Sequence, residues 1–245
     1  MFYLLDFLKL KIKYTLLHFI ILSIKNFFYI KKEIVFHKNF LNKNNLIFDL
    51  GANVGDKSYV FSLFAKKIIA YEPEERLVNY LKRRFFKNKK IIIVPKVVSA
   101  NRKKVKLYSF INNEAYSTIE KKSLEYFINR KVKANIIKKN ISSTTLNYEI
   151  NKYGIPDYVK IDCEGAEKSI LKNLKFKIPI ISFELNLPEF YDDGFKIILN
   201  LKKKFNSKFN VRVNNSFRFI DNIQHEKFLK FISKSKQSIE VFAFS

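Results

Sequence analysis

Two glycines four residues apart, closing an apolar run, constrain this chain more than any other feature in it. Leu46-Ile47-Phe48-Asp49-Leu50 has the length and apolar character of a buried strand, Gly51-Ala52-Asn53-Val54-Gly55 breaks it, and Asp56 to Ala65 is helix-like. Strand, tight turn and helix in that order open a nucleotide-binding α/β unit. Gly51 would let the backbone turn off the strand and approach a ligand, and Gly55 would let the helix pack closely on the sheet. A second apolar run, Ile68-Ile69-Ala70-Tyr71, ends in Glu72-Pro73. An acid at that strand tip accepts the two ribose hydroxyls of an adenosine in Rossmann-like folds. The spacing Gly-x-x-x-Gly lacks the third glycine of G-x-G-x-x-G, so an adenosine ligand is indicated and a diphosphate is not.

The 245 residues suffice for one α/β domain with a full core and small additions. A hydrophobic fraction of 47% with 26 Phe and 13 Tyr points to a globular chain, and 5 Gly and 5 Pro leave little for linkers. The formal charge of +25 taken alone would suggest nucleic acid, an anionic membrane or an acidic substrate. Its lysines are spread among many Asn, Ile and Phe, the pattern of A/T-rich coding, so nucleic acid is not expected as a partner. A single cysteine, Cys163, excludes an internal disulfide framework and a Cys-rich zinc site, which suits a reducing, cytoplasmic location.

Residues 1–40 read as an apolar, basic helical extension, and 41–245 as the main domain. The longest stretch near the start without a formal charge, Tyr14 to Ile24, is too short to span a bilayer. No small-residue cleavage site follows it. A helix packed on the domain and peripheral attachment through residues 1–36 to the inner face of a membrane are the readings it supports. A signal anchor is a third. Downstream, Glu74 to Phe86 has one apolar helical face, Ile91 to Val94 is a buried strand, and Val105 to Phe110 alternates like a strand at the sheet margin. Residues 111–145 look irregular and are expected to face the substrate. Helix Leu146–Tyr153, a strand ending at Asp162-Cys163-Glu164-Gly165, helix Glu167–Leu174 and strand Pro179–Leu185 come next. The tail suggests a helix over 195–205, strands near 209–213 and 217–220, a helix over 225–232, and a final strand over 238–244. Asp49, Glu72, Asp162, Glu164 and Glu184 all fall at carboxyl ends of strands, where open α/β sheets bind ligands.

Phe48 to Gly55, Tyr71-Glu72-Pro73, Ser117-Thr118-Ile119, Thr145-Leu146-Asn147 and Val159 to Glu167 resemble, in order and separation, the blocks of the FkbM-family methyltransferases. The resemblance runs from about Leu46 to Glu184. It implies a Rossmann-like class I methyltransferase fold, α/β, with a mostly parallel seven-stranded sheet and one antiparallel strand. It also implies S-adenosylmethionine as cofactor, with Asp49, Gly51, Asn53, Gly55, Glu72 and Ser99 at the cofactor, and Asp162 and Glu164 facing cofactor or acceptor. Asn147 departs from the Asp usual at its position.

Methyl transfer is an in-line displacement, so the protein aligns donor and acceptor and helps remove a hydroxyl proton. Asp162, Glu164 and Glu184 are the candidate catalytic acids, any of which could act as base if desolvated. They could instead hold a divalent cation; hydrogen bonds to cofactor hydroxyls or helix amides explain them equally well, and no metal is expected. His18, His37 and His225 read as structural or surface residues, and Cys163 as inert. Asn186-Leu187-Pro188-Glu189-Phe190 resembles the Asn-Pro-Pro-Tyr element of amino methyltransferases but follows the wrong strand. The expected function is O-methylation of a saccharide or other hydroxylated small molecule. An RNA methyltransferase, a nicotinamide-dependent oxidoreductase and a non-catalytic anion or membrane binder are the alternatives.

Overall fold

The structure, a computed structural model, describes residues 16–43, 45–111, 113–130, 132, 135–213 and 225–245, with side chains from Phe27 onward except those of Val213 and His225. Helix α1 (Leu16–His37) leads into strand β1 (Leu46–Leu50), α2 (Asp56–Ser62), β2 (Lys67–Tyr71), α3 (Glu75–Arg84) and β3 (Ile91–Val94). Next come β4 (Val97–Val98), β5 (Lys104–Phe110), a 3-10 turn at Glu114–Tyr116, α4 (Lys121–Asn129) and β6 (Ile136–Thr144). The chain then runs through α5 (Leu146–Tyr153), β7 (Tyr158–Ile161), α6 (Glu167–Leu171), β8 (Ile180–Asn186), α7 (Tyr191–Phe205), β9 (Lys208–Val213), α8 (His225–Lys234) and β10 (Ser238–Phe244).

Seven strands form the main sheet in the order β3-β2-β1-β7-β8-β10-β9. All neighbours pair in parallel except β10, antiparallel to both β8 and β9. Strand order reverses between β1 and β7, which opens a crevice beyond their carboxyl ends. The period of two along a strand divides the core between the sheet's faces. Phe48, Leu50, Val159, Ile161 and Phe183 pack with Ile150, Ile170 and Ile198 of α5, α6 and α7, while Ile47, Tyr158 and Phe242 pack with Phe36, Phe61 and Leu81 of α1, α2 and α3. Each such side chain, fully buried, contributes about 1.5–3 kcal/mol.

Helix α1 is pinned by more than apolar contact. Phe36 meets Phe242 edge-on at 5.6 Å, and His37 meets Phe61 at 5.1 Å. Glu33, with no exposure, lies 2.9 Å from Arg212 and 2.5 Å from Lys57. Burial alone would raise its pKa, but those cations hold it at about 2.

Three sequence expectations are corrected. Residues 111–145 are not irregular: they contain the 3-10 turn, α4 and β6. Strand β5 is not at the margin of the main sheet; it pairs antiparallel with β6 in a separate three-stranded sheet, order β4-β6-β5. The lysines and asparagine of β6, Ile-Ile-Lys-Lys-Asn-Ile-Ser-Ser-Thr, are exposed, so it needs no apolar alternation and gives no strand signal. The helix after Gly165 stops at Leu171 rather than Leu174. The suggested strand 217–220 lies outside the described residues.

Candidate functional site

The loop after β1 is set by two left-handed glycines, Gly51 at φ 80° and Gly55 at φ 83°. At Gly51 a Cβ would fall 1.8 Å from the carbonyl oxygen of Asp162, so only glycine lets the ends of β1 and β7 meet. At Gly55 a Cβ would meet Leu81 and Phe85 at 2.6 Å: this glycine admits helix α3, not the closer helix–sheet contact the sequence suggested. Between them, Gly51 and Ala52 donate to the Tyr71 carbonyl, and the Asn53 amide donates to Glu72 Oε2 at 2.8 Å. Glu72 Oε1 accepts from the Glu74 amide at 2.9 Å. Burial nevertheless dominates and raises Glu72 to about 7.

Gly51, Asn53, Glu72, Val97, Val98, Leu107, Thr118, Ile119, Asp162, Cys163 and Glu164 are among the residues that line one cleft of about 80 Å³. The Ser117-Thr118-Ile119 block reaches it because Thr118 bridges to β5 through Tyr108 and donates its hydroxyl to the Glu164 carbonyl. Other sequence candidates stand behind the cleft. Asp49 is fully buried, accepts from Ser58 at 2.5 Å and lies 3.7 Å from Lys160. Ser99 donates to the Asn101 carbonyl and is not in the lining; Val97 and Val98 take the place expected of it. Asn147 donates to the Asn173 carbonyl at 2.7 Å, a bond that an aspartate could not make. The Cys163 thiol is pushed well up by burial and by Glu167 and Asp162, consistent with an inert role. His37 is likewise structural: burial depresses it to about 4, and its ring bonds the Glu33 carbonyl.

Asp162, Glu164 and Glu184 come together, with one carboxylate oxygen from each within 4.8 Å of the other two. Three anions so placed cannot all stay ionised. Burial opposes ionisation of Asp162, but the Lys160 ammonium at 3.1 Å outweighs it and holds the carboxyl low. Burial and the Asp162 charge raise Glu164 well above the carboxylate range and lift Glu184 to about 8. Glu184 therefore keeps its proton near neutrality and hydrogen-bonds Asp162, while Ser238 donates to Glu184. The trio supplies oxygen ligands of the kind a cation takes, yet Lys160 already brings positive charge to it.

The acids wall two further cavities. One, of about 270 Å³, lies under α1 between Tyr29, Lys57, Lys160, Asp162, Glu184, Arg212 and Glu240. The other, of about 380 Å³, is bounded by Tyr116, Tyr126, Arg130, Glu164, Glu184 and Asn186. Sequence reasoning missed Lys160, although a lysine inside Tyr-Val-Lys-Ile was the available signal: a cation in a buried strand needs an acid beside it. Tyr29, Lys57 and Arg212 carried no signal, being brought together from distant segments.

The cleft fits an adenosine-bearing sulfonium in its own chemistry. A buried carboxylate with spare acceptor capacity, Glu72, stands in its lining beside the apolar side chains of Val97, Val98, Leu107 and Ile119. Together with the strand order, this defines a class I methyltransferase fold. The model of the methyltransferase FkbM domain matches residues 49–228, and the chain belongs to the FkbM methyltransferase family. Its methyl donor is accordingly S-adenosylmethionine.

A solved structure of methyltransferase FkbM from Methylobacillus flagellatus KT is similar, with 12% identity and TM-score 0.51, over 82% of this chain and 44% of that one. This chain thus spans less than half of that relative. A precorrin-6y C5,15-methyltransferase from Geobacter metallireducens GS-15 has 12% identity and TM-score 0.46 over 87% of this chain and 88% of its own. An rRNA methylase from Streptococcus thermophilus has 10% identity and TM-score 0.43, over 86% and 93%. Comparison with curated proteins finds no match.

Proposed function

We propose that this enzyme O-methylates a hydroxyl of a saccharide or another hydroxylated small molecule. In this reading residues 41–245 are the catalytic unit and 1–40 an apolar, basic extension of it. Gly51, Asn53 and Glu72 hold the cofactor, and Asp49, Gly55 and Ser99 support the segments that do so. When bound, S-adenosylmethionine supplies an electrophilic methyl group. One observation carries the acceptor side: Asp162 and Glu164 line the cleft, Asp162 and Glu184 the cavity under α1, and Glu164 and Glu184 the third cavity, so the trio stands where the three adjoin. Hydroxyls would donate to these acids, and the reacting hydroxyl proton would pass to the Asp162–Glu184 pair once Glu184 has lost its own. A nucleic acid is not part of this reading. The reading also sets the enzyme in the cytoplasm, beside the inner face of a membrane; no helix among the described residues is long and apolar enough to cross one.

The test is calorimetric titration with S-adenosylmethionine and with NAD, on the wild type and on Glu72→Ala, followed by transfer of labelled methyl to a panel of glycosides and small alcohols. S-adenosylmethionine binding that weakens at least tenfold in the variant supports the cofactor assignment, as expected for a lost charge-assisted acceptor worth about 1.5–3 kcal/mol. Preference for NAD, or transfer to RNA and to no hydroxylated small molecule, would overturn it.

A further inference from the structure

The outer face of α1 carries a pattern that the catalytic reading does not use. At about 100° per residue, positions 27, 28, 31, 32, 35 and 38 fall within roughly 140° of arc. All six are exposed, Phe27 at 65%, Phe28 at 55% and Val35 at 61% among them, and the other three are Lys31, Lys32 and Lys38. The opposite side is spent on the domain, with Tyr29 lining the cavity over Glu184 and Glu33, Phe36 and His37 buried. Glu33 is the one acid between Phe27 and Asn39, so no carboxylate interrupts the outer face. Toward the N-terminus the helix continues through Leu-Leu-His-Phe-Ile-Ile-Leu-Ser-Ile-Lys-Asn, which holds one lysine and no acid.

We propose that α1 docks through this face on an anionic lipid bilayer. The proposal deepens the membrane-proximal part of the reading above and rests on it. Aromatic and aliphatic side chains interleaved with lysines suit the boundary between headgroups and acyl chains, where rings enter and ammonium groups meet anionic lipid. A second copy of the chain fits less well, because its own outer face would oppose lysine with lysine. The acceptor cavity lies against the inner side of the same helix, so docking would present it beside the membrane to a hydroxylated headgroup or lipid-linked substrate.

The experiment is sedimentation of the full chain with phosphatidylcholine vesicles, with and without about 30% phosphatidylglycerol, at low and high salt. Two double variants accompany it, Phe27→Ser with Phe28→Ser and Lys31→Glu with Lys32→Glu. The wild type should bind the anionic vesicles at least about tenfold better than neutral ones and lose binding with salt, and each variant should reduce it by a similar factor. Light scattering, circular dichroism and S-adenosylmethionine titration are run on the same samples. Equal binding to both vesicle types, variants that bind like the wild type, or a dimer that the variants dissolve would each overturn the proposal. Loss of lipid binding with cofactor affinity intact separates this face from the active site. Absent cofactor binding beside intact lipid binding would strike the catalytic reading alone.

Discussion

Replacing Gly51 by alanine should break the close backbone approach between the ends of β1 and β7. Two costs add. The first is conformational: φ is 80°, and a non-glycine residue in the left-handed region costs about 1–2 kcal/mol. The second is steric: the new Cβ would stand 1.8 Å from the Asp162 carbonyl oxygen, where contacts under 3.0 Å force a shift, so the ends of β1 and β7 must part by 3.0 − 1.8 = 1.2 Å. Both ends are tethered, Gly51 to the Tyr71 carbonyl at 3.0 Å and the Asp162 amide to the Leu50 carbonyl at 3.0 Å, so the opening strains a central strand pair. Overpacking of this kind costs about 1–3 kcal/mol, which brings the sum to about 2–5 kcal/mol. For a chain of this size that lowers the melting temperature by roughly 4–20 °C. Gly154→Ala is the control. Its φ of 98° and ψ of 167° are at least as unfavourable for alanine, but its Cβ would meet only a Leu46 methyl at 3.7 Å. Urea unfolding of both variants measures the difference. A Gly51→Ala variant no less stable than Gly154→Ala would refute the steric argument and, with it, the claim that the β1–β7 crossing point requires glycine.

Four further outcomes are expected. Methyl transfer should rise with pH toward a plateau with a midpoint near 8, where Glu184 loses its proton, and Glu184→Gln should abolish that rise; initial rates against pH decide it. Glu72 has a folded pKa of about 7 against an ordinary value of 4.5, so the folded state holds the extra proton between those values and its contribution makes stability fall as pH rises through the window. Urea unfolding at several pH values should show a shallower decline in Glu72→Gln. Glu33 shows the opposite sign: depressed to about 2, it contributes stability present above pH 4.5 and lost as pH falls through 2. Glu33→Gln should cost about 3–5 kcal/mol in denaturant unfolding at neutral pH by removing the carboxylate that pairs with Lys57 and leaving Arg212 with Glu240 alone. Glu164 sits at φ 48°, which asparagine tolerates better, so Glu164→Asn should gain up to about 1 kcal/mol of stability while slowing transfer, as read by thermal unfolding beside a labelled-methyl assay.

Much of the fold was legible because its signals are local. Apolar runs of strand length, helical periods and glycines at strand ends mark β1, β2, β3, β7 and β8, and Leu146–Tyr153 came out with the bounds it has, with Thr145 as a cap accepting from Tyr148. The cleft was legible for the same reason, since Gly51, Asn53 and Glu72 sit at strand tips. What failed was β6 and its partner β5: a strand exposed on its polar residues has no alternation to show, and the separate sheet exists only because the two segments find each other. The chemistry of the acids was illegible in a deeper sense. Asp162, Glu164 and Glu184 were all named as carboxylates, but which one ionises depends on Lys160 beside the first, Ser238 beside the last and the dryness of the wall they share. Sequence alone marked most strands of the main sheet and the residues at their ends; the tertiary structure alone decided the protonation of those ends and the face α1 leaves outside, because charge state and exposure depend on distances between segments that the chain connects only by folding.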